Sequence, residues 1–353
     1  MFGSELLSGV VLTTFTSVKM PGSILGPIAK ILGQVYNMLF NGLYGMTEAG
    51  VLGFAIILFT LIVKAILFPL MVKQQKSSFK MQMLQPELEK IRNKYKGKTD
   101  QMSQQKMAME MQDFQKKNGI SLMGGCLPLL VQLPILYALF YLFQNAYVYV
   151  DVIGQNYTDI ANAILQIPKD LRMDVFAPYA QAFVDHNKNV EIIKTSGFDL
   201  NRLNDVVMLV NYLGADAWTN ILNQLGSNGD TLIGLLATKN NIETFLFIPL
   251  VSAAGLKWPG VLIPAFAAIT TYAQSKIMMV MTPSANNDPN NPAMAMTKTM
   301  TYVMPFMMGF FCISMPAGLG LYWTISNLIG IIQQVVLQKY YKKKFAGEAE
   351  QNG

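Results

Sequence analysis

The sequence has little with which to make or break bonds. It carries one histidine, His186, and two cysteines, Cys126 and Cys312, in 353 residues. A single histidine between Asp185 and Asn187, with no cysteine near it, excludes the usual zinc sets. Both cysteines lie in apolar stretches, so neither a disulfide framework nor a metal pair is expected. No HExxH or GxSxG motif occurs, which removes the commonest metalloprotease and hydrolase signatures. Gly97-Lys98-Thr99 has the ending of a phosphate-binding loop, but Arg92 stands where its first glycine is required. No cofactor, metal or catalytic centre is expected, and the chain does not read as an enzyme.

Charge is the other scarcity. Only 14% of residues are Asp, Glu, Lys or Arg, while 52% are hydrophobic, against about 25% charged in ordinary soluble domains. In place of charge there are apolar runs of bilayer length. The clearest is Val51–Val72, VLGFAIILFTLIVKAILFPLMV. At 1.5 Å per residue, 22 helical residues span roughly the 30 Å hydrocarbon core. Lys64 is the only charge in it, about 12 Å of helix from the nearer boundary. A cation at such a depth costs about 2.5 to 3.5 kcal/mol on insertion scales and usually faces protein or water. Snorkelling covers only part of that distance. Thr60, one turn earlier, extends the polar stripe.

Further runs give an all-α polytopic protein with five transmembrane helices: 51–72, 122–150, 258–280, 300–315 and 318–337. Before the first, residues 1–50 form an external segment. It holds a short apolar run, Leu6–Leu12, that makes a poor signal peptide, then a low-charge amphipathic pattern at Ile24–Met46, expected to lie on the outer leaflet. The stretch 73–121 is expected to be a basic cytoplasmic helical hairpin, with its turn at Gly97–Asp100 and a stripe of Met102, Met107, Met111 and Phe114 that fills the seam of the pair or offers a pliable contact surface. Between Lys73 and Lys117 there are 11 Lys/Arg against 5 Asp/Glu; between Asp151 and Lys257 there are 7 against 11. The positive-inside bias puts the first region in the cytoplasm and the second outside. Residues 151–257 are then an extracytoplasmic insertion of amphipathic helices resting on the membrane, Leu200–Leu213 among them. The loop 281–299 and the basic tail 338–353 return to the cytoplasm, so the amino terminus is outside and the carboxyl terminus inside.

Polar residues recur within the spans. Gln132 lies in the second. Gln274 is one turn from Thr270 in the third, and Trp323, Asn327 and Gln334 share a face of the fifth. With Thr60 and Lys64 they are candidates to line one hydrated groove, because polar groups in lipid must find water or one another.

The ordered set of motifs resembles the YidC-type membrane protein insertases. A lone basic residue followed by a proline opens the set, then Met81–Glu87 in a basic hairpin, and Gly125-Cys126-Leu127-Pro128-Leu129-Leu130-Val131-Gln132-Leu133-Pro134. Gln274–Met279, Tyr302–Pro305 and Gly320–Asn327 complete it. The resemblance covers roughly 35–150 and 243–342. Lys64 stands where the family usually has arginine, and Asp151–Glu243 replaces what is usually a short connection. With neither a lipid-anchor cysteine nor a large periplasmic β domain at the amino terminus, the resemblance implies a single-membrane bacterium and a plasma-membrane location. It implies an insertase for short-tailed membrane proteins, acting through a groove formed by Lys64, Thr60, Gln132, Gln274, Trp323 and Asn327. Nascent membrane proteins, the Sec translocon, the ribosome and the bilayer are the implied partners, with no nucleic-acid contact beyond ribosome docking. A small-solute transporter would need paired discontinuous helices or an internal repeat, and no second copy of the Lys64 segment occurs. A non-catalytic translocon assembly partner would need neither the lysine nor the hairpin.

Overall fold

The computed structural model describes residues 26–47, 49–98, 100–120, 127–188, 191–281 and 292–351. The run at Leu6–Leu12, residues 121–126 and much of the 281–299 loop lie outside them. Among the described residues the chain is helical except for one short β-hairpin. In chain order come α1 (Gly26–Tyr44), α2 (Val51–Met83), α3 (Gln85–Lys94), α4 (Gln101–Lys117), α5 (Leu127–Gln144), α6 (Ala146–Tyr149), α7 (Asp151–Gln166), α8 (Lys169–Asn187), α9 (Glu191–Ser196), α10 (Leu203–Tyr212), α11 (Ala215–Leu225) and α12 (Asp230–Glu243). Strands β1 (Thr244–Phe245) and β2 (Ile248–Pro249) follow, then α13 (Leu262–Met281), α14 (Pro292–Ile313) and α15 (Ala317–Gln351). Among the described residues two helices are long and apolar enough to cross a membrane, Val51–Met83 and Ala317–Phe345.

The chain divides into two compact units. The first contains the chain up to Phe59, Pro134–Val261 and Ser314–Leu321. Its centre is Tyr36 of α1, fully buried, whose hydroxyl donates to the Leu52 carbonyl at 3.1 Å and whose ring meets Phe59 and Phe143 edge-on at 5.8 Å. Asn37, on the same helix, closes the start of α7. Its amide donates to Asp151 Oδ2 at 2.7 Å, and its oxygen accepts from the Asp151 backbone N–H at 3.0 Å, one of the donors a helix start leaves open.

The inserted helices build a core of their own. On α7, Ile153, Tyr157, Ile160, Ala161 and Ile164 are buried at helical spacing. Arg172 of α8 caps the end of that helix, donating to the carbonyls of Leu165 at 2.6 Å and Ile167 at 3.2 Å, and to Asn201 Oδ1 at 2.7 Å. The Leu200–Leu213 pattern reads as an amphipathic surface helix, but α10 is buried on every side from Asp205 to Val210. The reason is packing against α7 and α8: a helix between two others needs no polar face. Tyr157 donates to Glu243 Oε1 at 2.7 Å, and Lys239 pairs with the other oxygen of Glu243 at 2.6 Å. Burial, and next the adjacent Glu243 carboxylate, push the Tyr157 phenol well above its ordinary pKa, so it stays a donor.

After α12 the chain forms the β-hairpin and an extended stretch that pairs with the turn leading into α15. Ala254 donates to Met315 at 3.1 Å, and Gly318 donates to Leu250 at 2.8 Å. Glycine suits position 318, since a Cβ there would crowd Ile56 at 3.1 Å and the Leu250 carbonyl at 3.2 Å.

The second unit comprises Thr60–Leu133, Leu262–Ile313 and the chain from Tyr322 on. Its spine is α2, which does not stop at Val72 but runs on to Met83, so the first arm of the basic hairpin begins as the same helix. Pro86, in the first turn of α3, starts the next helix after a break at Leu84. At the far end Gly97 turns the chain with φ of 83°, Asp100 caps α4 by accepting from the Ser103 N–H at 2.8 Å, and Glu110 takes hydrogen bonds from Lys94 at 2.9 Å and Tyr95 at 2.8 Å. Met107, Met111 and Phe114 are half-buried in the pair, whereas Met83, Met102 and Met109 are exposed. The basic tail is not a loose end either: α15 is helical through Gln351. Phe79 stacks on Phe345 at 5.4 Å beside Leu337 and Tyr341, and Gln338 bridges Gln75 and Gln82, both at 3.1 Å.

Candidate functional site

All six residues expected in the groove fall in the second unit. Three of them meet in one hydrogen-bonded knot between α13 and α15. The Trp323 indole N–H donates to Thr271 Oγ at 2.9 Å. Asn327, buried one turn later, places its amide 3.2 and 3.0 Å from the hydroxyls of Thr270 and Thr271. The orientation that keeps its oxygen away from Gln274 Oε1 has the nitrogen donate to that atom at 2.9 Å and the oxygen accept from Trp323 at 3.1 Å. Gly330, a turn beyond, leaves room for Gln274, whose amide nitrogen would lie 2.6 Å from any Cβ there. The spacing explains the convergence. Residues 270, 271 and 274 share a face at three- and four-residue intervals, as do 323, 327 and 330.

Gln132 makes a separate contact, donating to the buried Tyr322 hydroxyl at 2.7 Å. Since Tyr322 adjoins Trp323, α5 and α13 each send polar partners to the same turn of α15. Thr60 is fully buried on α2, and Lys64 is half-buried one turn further on. Among the described residues no hydrogen bond joins Lys64 to the knot and no carboxylate pairs with it. Gln334 is buried further along α15.

Two members of this arrangement were not among the candidates, Thr271 and Tyr322. Thr271 carried a signal, because it lies three residues from Gln274 on the same helix. Tyr322 carried none beyond its place in the Gly320–Asn327 motif, since a tyrosine in an apolar helix is ordinary core.

The close approach of α13 and α14 rests on small residues. A Cβ at Gly309 would meet Ala268 at 3.1 Å and the Pro264 carbonyl at 3.4 Å, the kind of contact by which helices pack in lipid. Among the described residues no cluster of three or more His, Cys, Asp or Glu side chains is placed to hold a metal. His186 instead lines a cavity of about 530 Å³ in the first unit, together with Trp218 and Asn211.

Comparison with known proteins gives this geometry its context. The family model described as 60Kd inner membrane protein matches residues 43–211 and 218–344. The match runs through most of the inserted helices, beyond the two blocks that the motifs mark. Membrane protein insertase YidC of Clostridium perfringens is 30% identical over 333 residues, 93% of this chain and 97% of that protein. Membrane protein insertase YidC 2 of Bacillus anthracis is 29% identical over 88% of this chain and 78% of its own length. The YidC of Bifidobacterium longum is 43% identical over a shorter span, 115 residues, or 32% of this chain and 33% of that protein. A mainly helical chain with a cation in a helix long and apolar enough to cross a membrane, matched over most of its length to bacterial membrane protein insertases, belongs to the YidC-type membrane protein insertase family of the cell membrane.

Proposed function

We propose that the chain inserts short-tailed membrane proteins through a hydrated groove in which Lys64 is the working charge. The observation that carries this reading is Lys64 itself, a half-buried cation deep in α2 with no carboxylate partner among the described residues. Such a charge is free to attract a carboxylate on an incoming tail. The knot of Thr270, Thr271, Gln274, Trp323 and Asn327 in the same unit supplies a polar wall that lowers the desolvation cost of that tail. The substrate's apolar helix meanwhile leaves along α13 and α15 into lipid. Driving force comes from that partitioning and from the membrane potential, about 2.3 kcal/mol per charge per 100 mV.

In this reading α2, α5, α13, α14 and α15 all cross the bilayer. The amino terminus and the inserted helices are outside; the hairpin and the end of α15 are in the cytoplasm. The hairpin's basic surface and its exposed Met83, Met102 and Met109 then face incoming chains, the ribosome and the Sec translocon. Reconstituted alone in liposomes, the protein should insert a single-span substrate with an acidic tail, and Lys64→Ala should lose that activity while a tail without Asp or Glu is spared. Equal insertion of both tails by the variant would defeat the groove reading. Single cysteines at Asn220 and Lys90 should label from outside and inside respectively; the reverse pattern would overturn the topology.

A further inference from the structure

Between β1 and α13 four large apolar side chains stand in the open. Leu246 is 77% exposed, Trp258 72%, Leu256 68% and Phe247 52%. Singly such residues need no explanation, but these are gathered: the Phe247 ring stacks on Trp258 at 5.9 Å with 19° between planes, joining the hairpin tip to the loop that precedes α13.

The tip is rigidly presented. Phe245 fills the space above Gly53, where any Cβ would collide with its ring, and lies edge-on to Phe54 at 5.2 Å. The Gly50 N–H donates to the Asn241 carbonyl at 3.0 Å, fixing the hairpin's root to the start of α2. Leu246 then sits at φ of 58°, a conformation that favours glycine or asparagine. A leucine there that buried itself would be explained by packing. One that is also exposed to water would be unfavourable twice over, which an apolar surrounding resolves.

We propose that Leu246, Phe247, Leu256 and Trp258 sink into the outer leaflet of the bilayer as an interfacial anchor, with the exposed Lys257 at the lipid phosphates. Stacked aromatics next to a lysine are the chemistry of the headgroup boundary. Trp258 lies four residues ahead of Leu262, within about 14 Å of the start of α13 even if the chain is extended. This inference rests on the proposed reading that α13 crosses the membrane with Leu262 at its outer end. The anchor would hold the first turns of α2, to which the hairpin is fixed, at a set depth.

The test uses the full chain in liposomes. With Trp218→Phe and Trp323→Phe, Trp258 is the only tryptophan. Its emission should be blue-shifted, quenched more by lipids brominated near the glycerol than by lipids brominated deep in the chain, and shielded from acrylamide. If that variant does not fold, an environment-sensitive label at Leu256→Cys, with Cys126→Ser and Cys312→Ser, gives the same readout. A label at Ile269→Cys, an exposed position within α13, reports separately whether that helix is in lipid. Lipid quenching at Ile269 with full acrylamide access at Trp258 would overturn the anchor, as would shielding of Trp258 that needs an added protein partner. Aqueous access at both positions would overturn the crossing of α13 itself.

Discussion

Replacing Lys64 by methionine removes the charge and keeps the length of the side chain, and the two readouts should move in opposite directions. A cation near the middle of a membrane helix costs about 2.5 to 3.5 kcal/mol. Lys64 is half-buried and its stem reaches only part of the roughly 12 Å to the nearer boundary, so we expect a relief of about 1 to 3 kcal/mol. Unfolding in mixed detergent, followed by gel mobility or tryptophan emission, should therefore show Lys64→Met to be the more stable protein. Insertion should fall. A carboxylate about 5.5 Å from the ammonium, at an effective dielectric of about 20, is attracted by about 3 kcal/mol, a ceiling near a hundredfold in occupancy of the groove by an acidic tail. Lys64→Arg keeps the charge and should keep most of the insertion rate, because a single tail carboxylate does not require arginine's two-pronged geometry. Stability gained with insertion lost marks a residue kept for function. If Lys64→Met were less stable and inserted acidic tails as fast as before, the lysine would be a structural contact and the reasoning would fail.

Asn327→Leu strips the knot of its centre and leaves Gln274 and Trp323 without that partner, so about 1 to 2 kcal/mol of unfolding free energy should be lost in detergent; no change would mean that water replaces the amide. Gly53→Val puts a branched side chain where the Phe245 ring lies, and limited proteolysis should then cut within 244–258 well before the rest of the chain; an unchanged pattern would show that the hairpin is not held there. Phe79→Ala empties the centre of a small cluster, and with about 2 kcal/mol lost locally the amides of 337–345 should exchange faster while those of α13 do not. Replacing Asp151–Glu243 by a Gly/Ser linker should leave Asn37 on α1 without its Asp151 partner, so the deletion should express less well yet still insert short substrates; complete loss of insertion by a folded deletion would place those helices in the mechanism.

Much of the helical layout was legible because one physical rule governs it. Lipid-length apolar runs separated by charge can only be helices and their connections, and the starts of α2 and α15 follow directly, while the helical character of 151–243 was read from amphipathic spacing. Helix ends were harder. Val72 is where apolar residues give way to lysine and glutamine, but helical hydrogen bonding does not depend on hydrophobicity, and nothing between Val72 and Leu84 interrupts it. The stripe of Gln75, Phe79 and Gln82 that holds α15 is invisible without its partner, since its meaning lies in Gln338 and Phe345, more than 250 residues away. Of the site, Gln274, Trp323 and Asn327 were found by the cost of polar groups in apolar helices. That cost says a partner exists and not which one, so the role of Thr271 and the pairing of Gln132 with Tyr322 became readable only from coordinates.

The clamp between α2 and the end of α15 makes the base of the hairpin a lever. From Lys64 to Phe79 the helix is uninterrupted for about 22 Å, and stacking of Phe79 on Phe345 fastens its lower end to the last turns of the chain. Pro69, inside that length, lacks the N–H that would brace its turn and is the compliant point of the rod. A load applied to the tail or to the hairpin is thus delivered as bending at Pro69, about one and a half turns from Lys64, so strain at the far end of the rod is felt at the charge.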